Sequence, residues 1–211
     1  KIPLDPNKTA RENSQRYFAR YNKLKRTYEA GVRLIKEIKD EIMYLESIIN
    51  ALDIATTEND LNNIKEELII TGYIKKNSKS KSKDNKNNKP LHYISSDGFD
   101  MYVGKNNLQN DELTFKFASN SDWWFHAKQM PGSHVIVKTN GKELPDRTFE
   151  EAAALAAYYS KGRDLDKVEV DYVLKKEVKK PAAAKPGFVV YYTNYSLIAI
   201  ADINGIKEVT G

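Results

Sequence analysis

The chain has 211 residues, a net charge of +5 and no cysteine, which excludes disulfides, thiol nucleophiles and cysteine-ligated metals. Its longest apolar runs, such as residues 196–201, are far shorter than the ~20 residues that a membrane-spanning helix needs. This composition favours a cytoplasmic protein, although a cysteine-free cell-surface protein would have the same composition. The sequence starts at Lys1, so we expect it to be a piece of a longer protein.

The positive charge is concentrated in the first part of the chain. Residues 1–89 contain 19 Lys and Arg against 13 Asp and Glu, which leaves 15 and 16 for the remainder. A polyanionic partner is therefore expected to bind the first part.

Residues from about Pro6 to Asp53 are predicted to form one long helix, roughly 70 Å in length. Asp5 and Pro6 are suitable residues for its start. Apolar residues recur at alternating spacings of three and four, the a/d pattern of a coiled coil, and only Gly31 interrupts them. We call this row the seam; its members are Tyr17, Tyr21, Leu24, Tyr28, Gly31, Ile35, Ile38, Ile42, Leu45, Ile49 and Leu52.

A second, shorter helix is predicted from Thr57, as its N-terminal cap, to Gly72. It cannot cover the whole seam, so the remainder should pair with a missing segment of the parent protein, with another copy of the chain, or with itself through a hairpin at Gly31. The first two are favoured because the heptad phase continues through Gly31. An ordinary helical spacer is the simpler alternative.

Residues 75–89 (KKNSKSKSKDNKNNK) are polar and basic, and predict a flexible linker that is either an RNA-contacting tether or a plain connection.

The expected domains are therefore a coiled-coil segment at 1–74, the linker at 75–89 and a second domain at 90–211. In that domain, a helix is predicted at 148–161, capped by Thr148 and ended by Gly162. Strands are predicted at 91–94, 99–103, 122–127, 133–139, 168–174, 188–192 and 196–201, and 111–118 is either a strand or a short helix. The fold class is α+β, with a mainly antiparallel sheet after the long helix.

Three sets of residues have the chemistry of RNA contacts, which use cations for phosphates, amides for base edges and flat rings for stacking. A polar loop follows Gly104, whose missing side chain would let a partner approach closely. In the strand predicted at 122–127, alternate residues share one face, and His134 on the neighbouring predicted strand faces them. The third set consists of cations in the first turns of the long helix. The candidates are Lys105, Asn106, Asn107, Gln109 and Asn110 in the loop, Trp124, His126, Lys128 and His134 on the face, and Arg16, Arg20 and Lys23 on the helix.

Each set also has a structural explanation. The loop amides could satisfy turn backbone, the tryptophans could both be core residues, and the cations could be a solvated coiled-coil flank. His126 and His134 with Asp122 could form a metal site or an acid–base set, but no recognised catalytic spacing supports this. We expect no metal, no cofactor and no catalytic residue.

The run DGF…VGKNNxQNDxLT…DxWFHxKxxPGSHV, over residues 97–135, resembles the signature of the NFACT-R domain. The preceding segment, with RYFxRYxKLK at 16–25 and GYI at 72–74, resembles NFACT-M. The resemblance covers essentially the whole chain. It identifies the chain as similar to the C-terminal part of the NFACT family, which includes the RqcH- and NEMF-type factors of ribosome-associated quality control.

The resemblance implies binding to rRNA, tRNA and large ribosomal subunits obstructed by peptidyl-tRNA, in support of template-free alanine tailing. The ribosome would supply the peptidyl-transfer chemistry, so the chain is not expected to be an enzyme. Gram-positive family members have also been described as fibronectin- or fibrinogen-binding, which makes an adhesin module the alternative function. Substitution of Lys105, His126 and Lys128 by Ala is expected to weaken RNA binding without unfolding the domain.

Overall fold

The computed structural model describes residues 2–76 and 89–209. The chain divides into two compact units, residues 1–42 and residues 43–211. Most of the predicted linker, residues 77–88, lies outside the described residues, so its flexibility stays a prediction. Within the described ranges, no helix combines the length and apolarity that crossing a bilayer requires.

The long helix α1 spans Ala10–Ile54 and continues through Gly31 without a break. It begins four residues later than predicted because Thr9 and Glu12, rather than Asp5 and Pro6, satisfy its first turn. The Glu12 carboxylate accepts from the Thr9 amide at 2.8 Å, and the Thr9 hydroxyl accepts from the Glu12 amide at 3.3 Å. The unbroken helix also rules out the hairpin at Gly31.

In the first unit, the large apolar residues of the seam are exposed: Tyr21, Leu24, Tyr28, Ile35, Ile38 and Ile42. In the second unit, the seam residues Leu45, Ile49 and Leu52 are exposed as well. The coiled-coil pattern is therefore present, and its apolar row has no cover among the described residues of either unit.

Helix α2 spans Glu58–Ile70 and has the predicted cap at Thr57. Thr57 and Asp60 form a complete capping box, and Gly72 follows the helix with a φ of +85°, the left-handed conformation that glycine adopts without strain. Within residues 43–211, α2 packs on the last turns of α1 through a small core of Tyr44, Ile48, Ala51 and Ile64.

The described residues of the second domain form a seven-stranded antiparallel sheet, which confirms the α+β class. The strands are β1 Leu91–Ile94, β2 Asp100–Val103, β3 Trp123–Ala127, β4 Val135–Val137, β5 Val168–Leu174, β6 Tyr195–Ala199 and β7 Lys207–Glu208, in the spatial order β6-β5-β3-β4-β2-β1-β7. Helix α3 spans Asn107–Glu112 and runs into one π-helical turn, Leu113–Phe117; helix α4 spans Asp146–Tyr158.

Three elements differ from the sequence predictions. The stretch 188–192 is not a strand, because it makes only an isolated bridge from Val190 to Lys179. The two-residue strand β7 was too short to give an alternating pattern. Helix α4 begins at Asp146 and ends at Tyr158, so Thr148 is not its cap; the Thr148 hydroxyl donates instead to Asp97 at 2.8 Å.

Apolar side chains cover both faces of the sheet, and this decides where a functional site can lie. On one face, Phe125 and Ala127 of β3 pack against the alanines of α4. On the other face, Trp124 and Ile136 pack under α3, the π turn and residues 178–191. The middle of the sheet is therefore closed on both sides, and only its ends and edges are open to a partner.

Candidate nucleic-acid interface

The polar loop after Gly104 is internal, contrary to the sequence prediction. Asn106, Asn107, Gln109 and Asn110 are only 3–6% exposed. The Asn106 side chain caps α3 by accepting from the Gln109 amide, and the Gln109 carbonyl accepts from the Lys105 amide, both at 2.9 Å. These amides satisfy buried backbone groups, so they are unavailable to RNA in this conformation.

The side chain of Asn110 occupies the space beside Gly104. Its Oδ1 accepts from the His134 amide at 3.0 Å, and its Nδ2 donates to the Gly132 carbonyl at 3.4 Å. A Cβ on Gly104 would collide with this same Oδ1. The close approach that Gly104 permits is therefore made by Asn110 and not by a partner molecule.

The rest of the loop holds α2 and the end of α1 against the sheet domain. The Lys105 ammonium forms an ion pair with the buried Asp60, and the Asn107 amide donates to Ser47 at 2.7 Å and to Glu67 at 2.9 Å. Because all of these residues lie within 43–211, they form one internal polar contact, which we call the junction. Lys105 and Asn107 are therefore structural residues, which corrects their assignment to RNA.

Glu67 is the fully buried acid of the junction. Its Oε1 accepts from the Tyr44 hydroxyl at 3.0 Å, while its Oε2 has no hydrogen bond among the described residues. Burial raises the pKa of Glu67 above its usual value, against the opposing effect of the Asn107 and Tyr44 donors. At Asp60, burial alone would raise the pKa, but the hydrogen bonds from Lys105 and Thr57 outweigh it and the pKa of that carboxyl is lowered.

The aromatic face of β3 is sealed as well. Trp124 is fully buried; its ring stacks on His126 with centroids 5.6 Å apart and meets His134 edge-on at 5.0 Å. The predicted alternation of side chains along β3 is confirmed, but the face chosen for RNA is the one under α3 and the π turn. Trp124 and His134 are core residues, and His126 is only partly exposed.

His126 and His134 do face each other across β3 and β4, with ring centroids 5.4 Å apart. Burial lowers the pKa of His126 to about 4, and burial together with His126 lowers the pKa of His134 well below its usual value. Asp122 does not join them: it accepts from the Ser119 amide at 2.7 Å and pairs with Lys138. Among the described residues, no group of three His, Asp or Glu side chains could hold a metal.

Lys128 is partly exposed, but two carboxylates neutralise its charge. Its ammonium lies 2.5 Å from Glu169 and 3.8 Å from Asp171. A phosphate would have to compete with both of these acids, so Lys128 is a poor phosphate ligand as the structure stands. The role of Lys128 in RNA binding stays a prediction.

The predicted cations of the first unit are exposed. Arg20 and Lys23 lie on the surface of α1 without an ion pair in the described residues, and Arg16 makes only a long one, 3.7 Å from Asp5. Arg11, Lys25 and Arg26 are also exposed on the same turns. These side chains have the geometry that phosphate contacts require, and their role stays a prediction.

A second set of side chains, absent from the sequence predictions, lies at one end of the β5–β6 pair; Lys175 is half-buried and the others are exposed. We call it the β5–β6 corner, and its residues are Lys175, Lys176, Lys179, Tyr192, Asn194 and Tyr195. The clustering of KKEVKK with YYTNY could have signalled it. The set was missed because residues 188–192 were predicted to form a strand, so Tyr192 was treated as a sheet residue.

Exposed cations on the first turns of a long helix, followed by an α+β domain with exposed lysines and aromatic rings, are features of nucleic-acid-binding proteins. Residues 1–87 match the family model of the NFACT N-terminal and middle domains, and residues 89–193 match that of the NFACT protein RNA binding domain. The chain therefore belongs to the NFACT family, as its motifs indicated.

Characterised relatives agree with this assignment. The chain is 46% identical over 208 residues to the Rqc2 homolog RqcH of Streptococcus pneumoniae, which covers 98% of the chain and 37% of that protein. It is 40% identical over 207 residues to the Rqc2 homolog RqcH of Bacillus subtilis, covering 97% of the chain and 36% of the relative. The chain thus spans little more than a third of these relatives.

A solved structure has the same fold over nearly the whole chain. It is the C-terminal part of the fibronectin/fibrinogen-binding protein from Streptococcus suis, at 43% identity and a TM-score of 0.81. The superposition covers 93% of this chain and 78% of the solved one.

Proposed function

We propose that this chain is the RNA- and ribosome-binding part of a ribosome-associated quality-control factor. The observation that carries the proposal is the match of residues 89–193 to an RNA-binding domain within a chain 40–46% identical to RqcH proteins. Its work would take place in the cytoplasm, on large subunits obstructed by peptidyl-tRNA, in support of alanine tailing.

In this proposal the chain binds and positions, and catalyses nothing itself. The exposed cations Arg16, Arg20 and Lys23 neutralise phosphates of rRNA or tRNA, and each contact releases counterions from the RNA. His134 supports a binding role, since a ring that is buried away from solvent is poorly placed for acid–base work on a substrate. Peptidyl transfer is left to the ribosome.

The test is a filter-binding titration with tRNA and rRNA fragments at several salt concentrations. Affinity should fall steeply with salt, with a slope of about 0.7–0.9 per neutralised phosphate. Arg20→Ala with Lys23→Ala removes two phosphate contacts and should reduce the slope by about 1.4–1.8. The charge-preserving control, Arg20→Lys with Lys23→Arg, should keep the original slope. A salt-independent affinity would contradict the proposal.

A second function, binding of fibronectin or fibrinogen, is favoured by one observation: the structural similarity to a Streptococcus suis protein named for that activity. Pull-down from a lysate mixed with purified fibronectin separates the two. Retention of large-subunit RNA supports the first function, and retention of fibronectin without RNA supports the second.

A further inference from the structure

The β5–β6 corner combines rings and cations at an open end of the sheet. Tyr192 is 83% exposed and Tyr195 is 61% exposed. Since β5 and β6 are antiparallel, the end of β5 at Leu174 and the start of β6 at Tyr195 lie at the same end of the sheet. Lys175 and Lys176 follow Leu174 directly and therefore lie at that same end of the sheet.

Tyr195 is supported from beneath by other rings. Its centroid lies 5.5 Å from that of Tyr172 in a stacked arrangement and 6.4 Å from that of Trp123. Trp123 in turn meets Phe149 edge-on at 5.0 Å. This support restricts the Tyr195 ring while leaving much of it exposed, so a further ring could stack on it at little entropic cost.

The bend between the two tyrosines is also held in place. Buried Asp171 accepts from the Tyr191 hydroxyl at 2.7 Å and from the Ser196 hydroxyl at 2.6 Å, one on each side of the bend. Asn194 donates to the carbonyl of Tyr195 at 3.3 Å and to the Ser196 hydroxyl at 3.2 Å. These contacts hold the backbone on both sides of the bend, next to Tyr192 and at Tyr195, before any ligand binds.

The lysines of the corner keep their charges available. Lys175, Lys176 and Lys179 form no ion pair among the described residues, whereas neighbouring Lys180 is held by Asp111 at 2.8 Å. Lys179 lies opposite Val190, two residues before Tyr192. With Glu177 as the one acid among them, these positions carry a net positive charge of 2 that complements a phosphate backbone.

We propose that the β5–β6 corner binds an unpaired segment of RNA, with bases stacked on Tyr195 and Tyr192 and phosphates at Lys175, Lys176 and Lys179. This deepens the proposed function and rests on it. An unpaired segment fits because the faces of its bases are free to stack, while a duplex offers mainly backbone and groove. The lysine charges favour RNA over an apolar protein strand as the occupant of this edge.

The test compares two fluorescein-labelled probes by anisotropy at one salt concentration: an unstructured ten-nucleotide RNA of uridine and adenosine, and an RNA duplex with the same number of phosphates. Tyr192→Ala with Tyr195→Ala should weaken binding of the unpaired RNA by roughly 5- to 100-fold for each stacked base lost. Its affinity for the duplex should change less than twofold. Tyr192→Phe with Tyr195→Phe keeps both rings and should restore binding.

Ile198→Ala is the matched control, since Ile198 is exposed on the same strand but offers no aromatic ring; it should leave both affinities unchanged. Equal losses for the two probes, or no loss with the alanine pair, would overturn the stacking site while RNA binding itself stands. Failure of the unaltered chain to bind either probe would overturn the proposed function as well. If the corner binds a protein partner instead of RNA, the alanine pair should cause no loss of RNA affinity.

Discussion

A single buried residue, Glu67, affects the stability of the whole junction. It is fully buried between Tyr44, Ser47 and Asn107, and one of its oxygens has no hydrogen bond in the described residues. Burying an ionised carboxylate is unfavourable unless every lone pair is satisfied, and here the raised pKa is the consequence. We therefore expect the ionised form to reduce the stability of the junction at neutral pH.

Glu67→Gln tests this expectation. Because the pKa of Glu67 is raised on folding, the folded chain binds a proton that the unfolded chain has lost, and the free energy of unfolding falls as pH rises from about 4.5 through the raised pKa. Glutamine keeps the acceptor for Tyr44 but does not ionise. The variant should be as stable as the parent or more so at pH 7, with a flatter stability profile in that window.

The measurement is urea unfolding at half-unit pH steps from 4 to 8. Glu66→Gln on the same helix is the control, since Glu66 is exposed and its substitution should leave the profile unchanged. If the free energy of unfolding of Glu67→Gln has the same slope against pH as that of the parent, burial of Glu67 does not cause the pH dependence in this window.

At the scale of elements, α2 is joined to α3 by an ion pair between charges taken out of water. Asp60 is 1% exposed, caps its own helix and pairs with Lys105 immediately before α3. A buried ion pair contributes little net stability over an apolar pair, but removal of one partner leaves the other charge buried and unpaired. The pair therefore fixes how α2 lies on the sheet domain.

Lys105→Met should destabilise residues 43–211 by about 3–5 kcal/mol, because it leaves the Asp60 carboxylate buried without its cation. Asp60→Asn combined with Lys105→Met should recover a large part of the loss, since neither charge remains. RNA affinity per folded molecule should be unchanged in both variants. Thermal melts and RNA titrations on the same samples check this.

An RNA affinity that falls for Lys105→Met at temperatures where the domain is fully folded would contradict the structural role. That result would support the sequence prediction that Lys105 contacts RNA. The double variant distinguishes the cases, because it restores the fold without restoring the cation.

At the scale of the whole molecule, the seam is a long apolar row that the described residues leave exposed. Helix α1 has 45 residues and α2 only 13, so α2 cannot cover the seam along its length. Exposed apolar rows of this size are rare on isolated chains and mark association sites. In the chain taken alone, a second copy is the available partner, whereas in a longer protein a preceding segment could take its place.

We expect the isolated chain to form a concentration-dependent dimer through the seam, measured by sedimentation equilibrium. Ile35→Glu with Ile38→Glu should weaken the dimer by roughly 100-fold or more, because both carboxylates would be buried unpaired. Arg33→Glu with Lys36→Glu adds acids to the same turns away from the seam and serves as control. A chain that remains monomeric at high concentration would show that these residues do not pair in isolation.

The elements with strong local signals were predicted well. The spacing of apolar residues defined α1 through Gly31, and Thr57 as a cap with Gly72 as a stop defined α2. Alternation along Trp123–Ala127 defined β3 and the two faces of the sheet. Short or irregular pieces were missed, namely β7, the π turn and the bridge at Val190. Strand β7 depends on pairing with β1, which is distant in sequence, and the π turn is a local irregularity with no apolar period of its own. The start of α1 was misplaced because two residue pairs could each have capped it.

Most of the candidate loop and strand residues, which the sequence prediction placed on the surface, lie inside the fold. Asn106 and Asn110 have the donors and acceptors that RNA contacts need, but buried turn backbone needs the same groups. Trp124 and Trp123 lie on opposite faces as the alternation predicts, yet local sequence does not say which face another segment covers. The exposed tyrosines of the β5–β6 corner became visible only once the antiparallel pairing of β5 and β6 was known.

By itself, then, the sequence determined the family, the long helix with its apolar seam, and the alternation of side chains along the strands. These depend on neighbours along the chain, and short-range geometry settles them. The tertiary structure alone decided which polar groups are used up inside and which charges stay available to a partner. Hydrogen bonding and burial depend on residues brought together from far apart, such as Asn107 with Glu67 and Asp60 with Lys105.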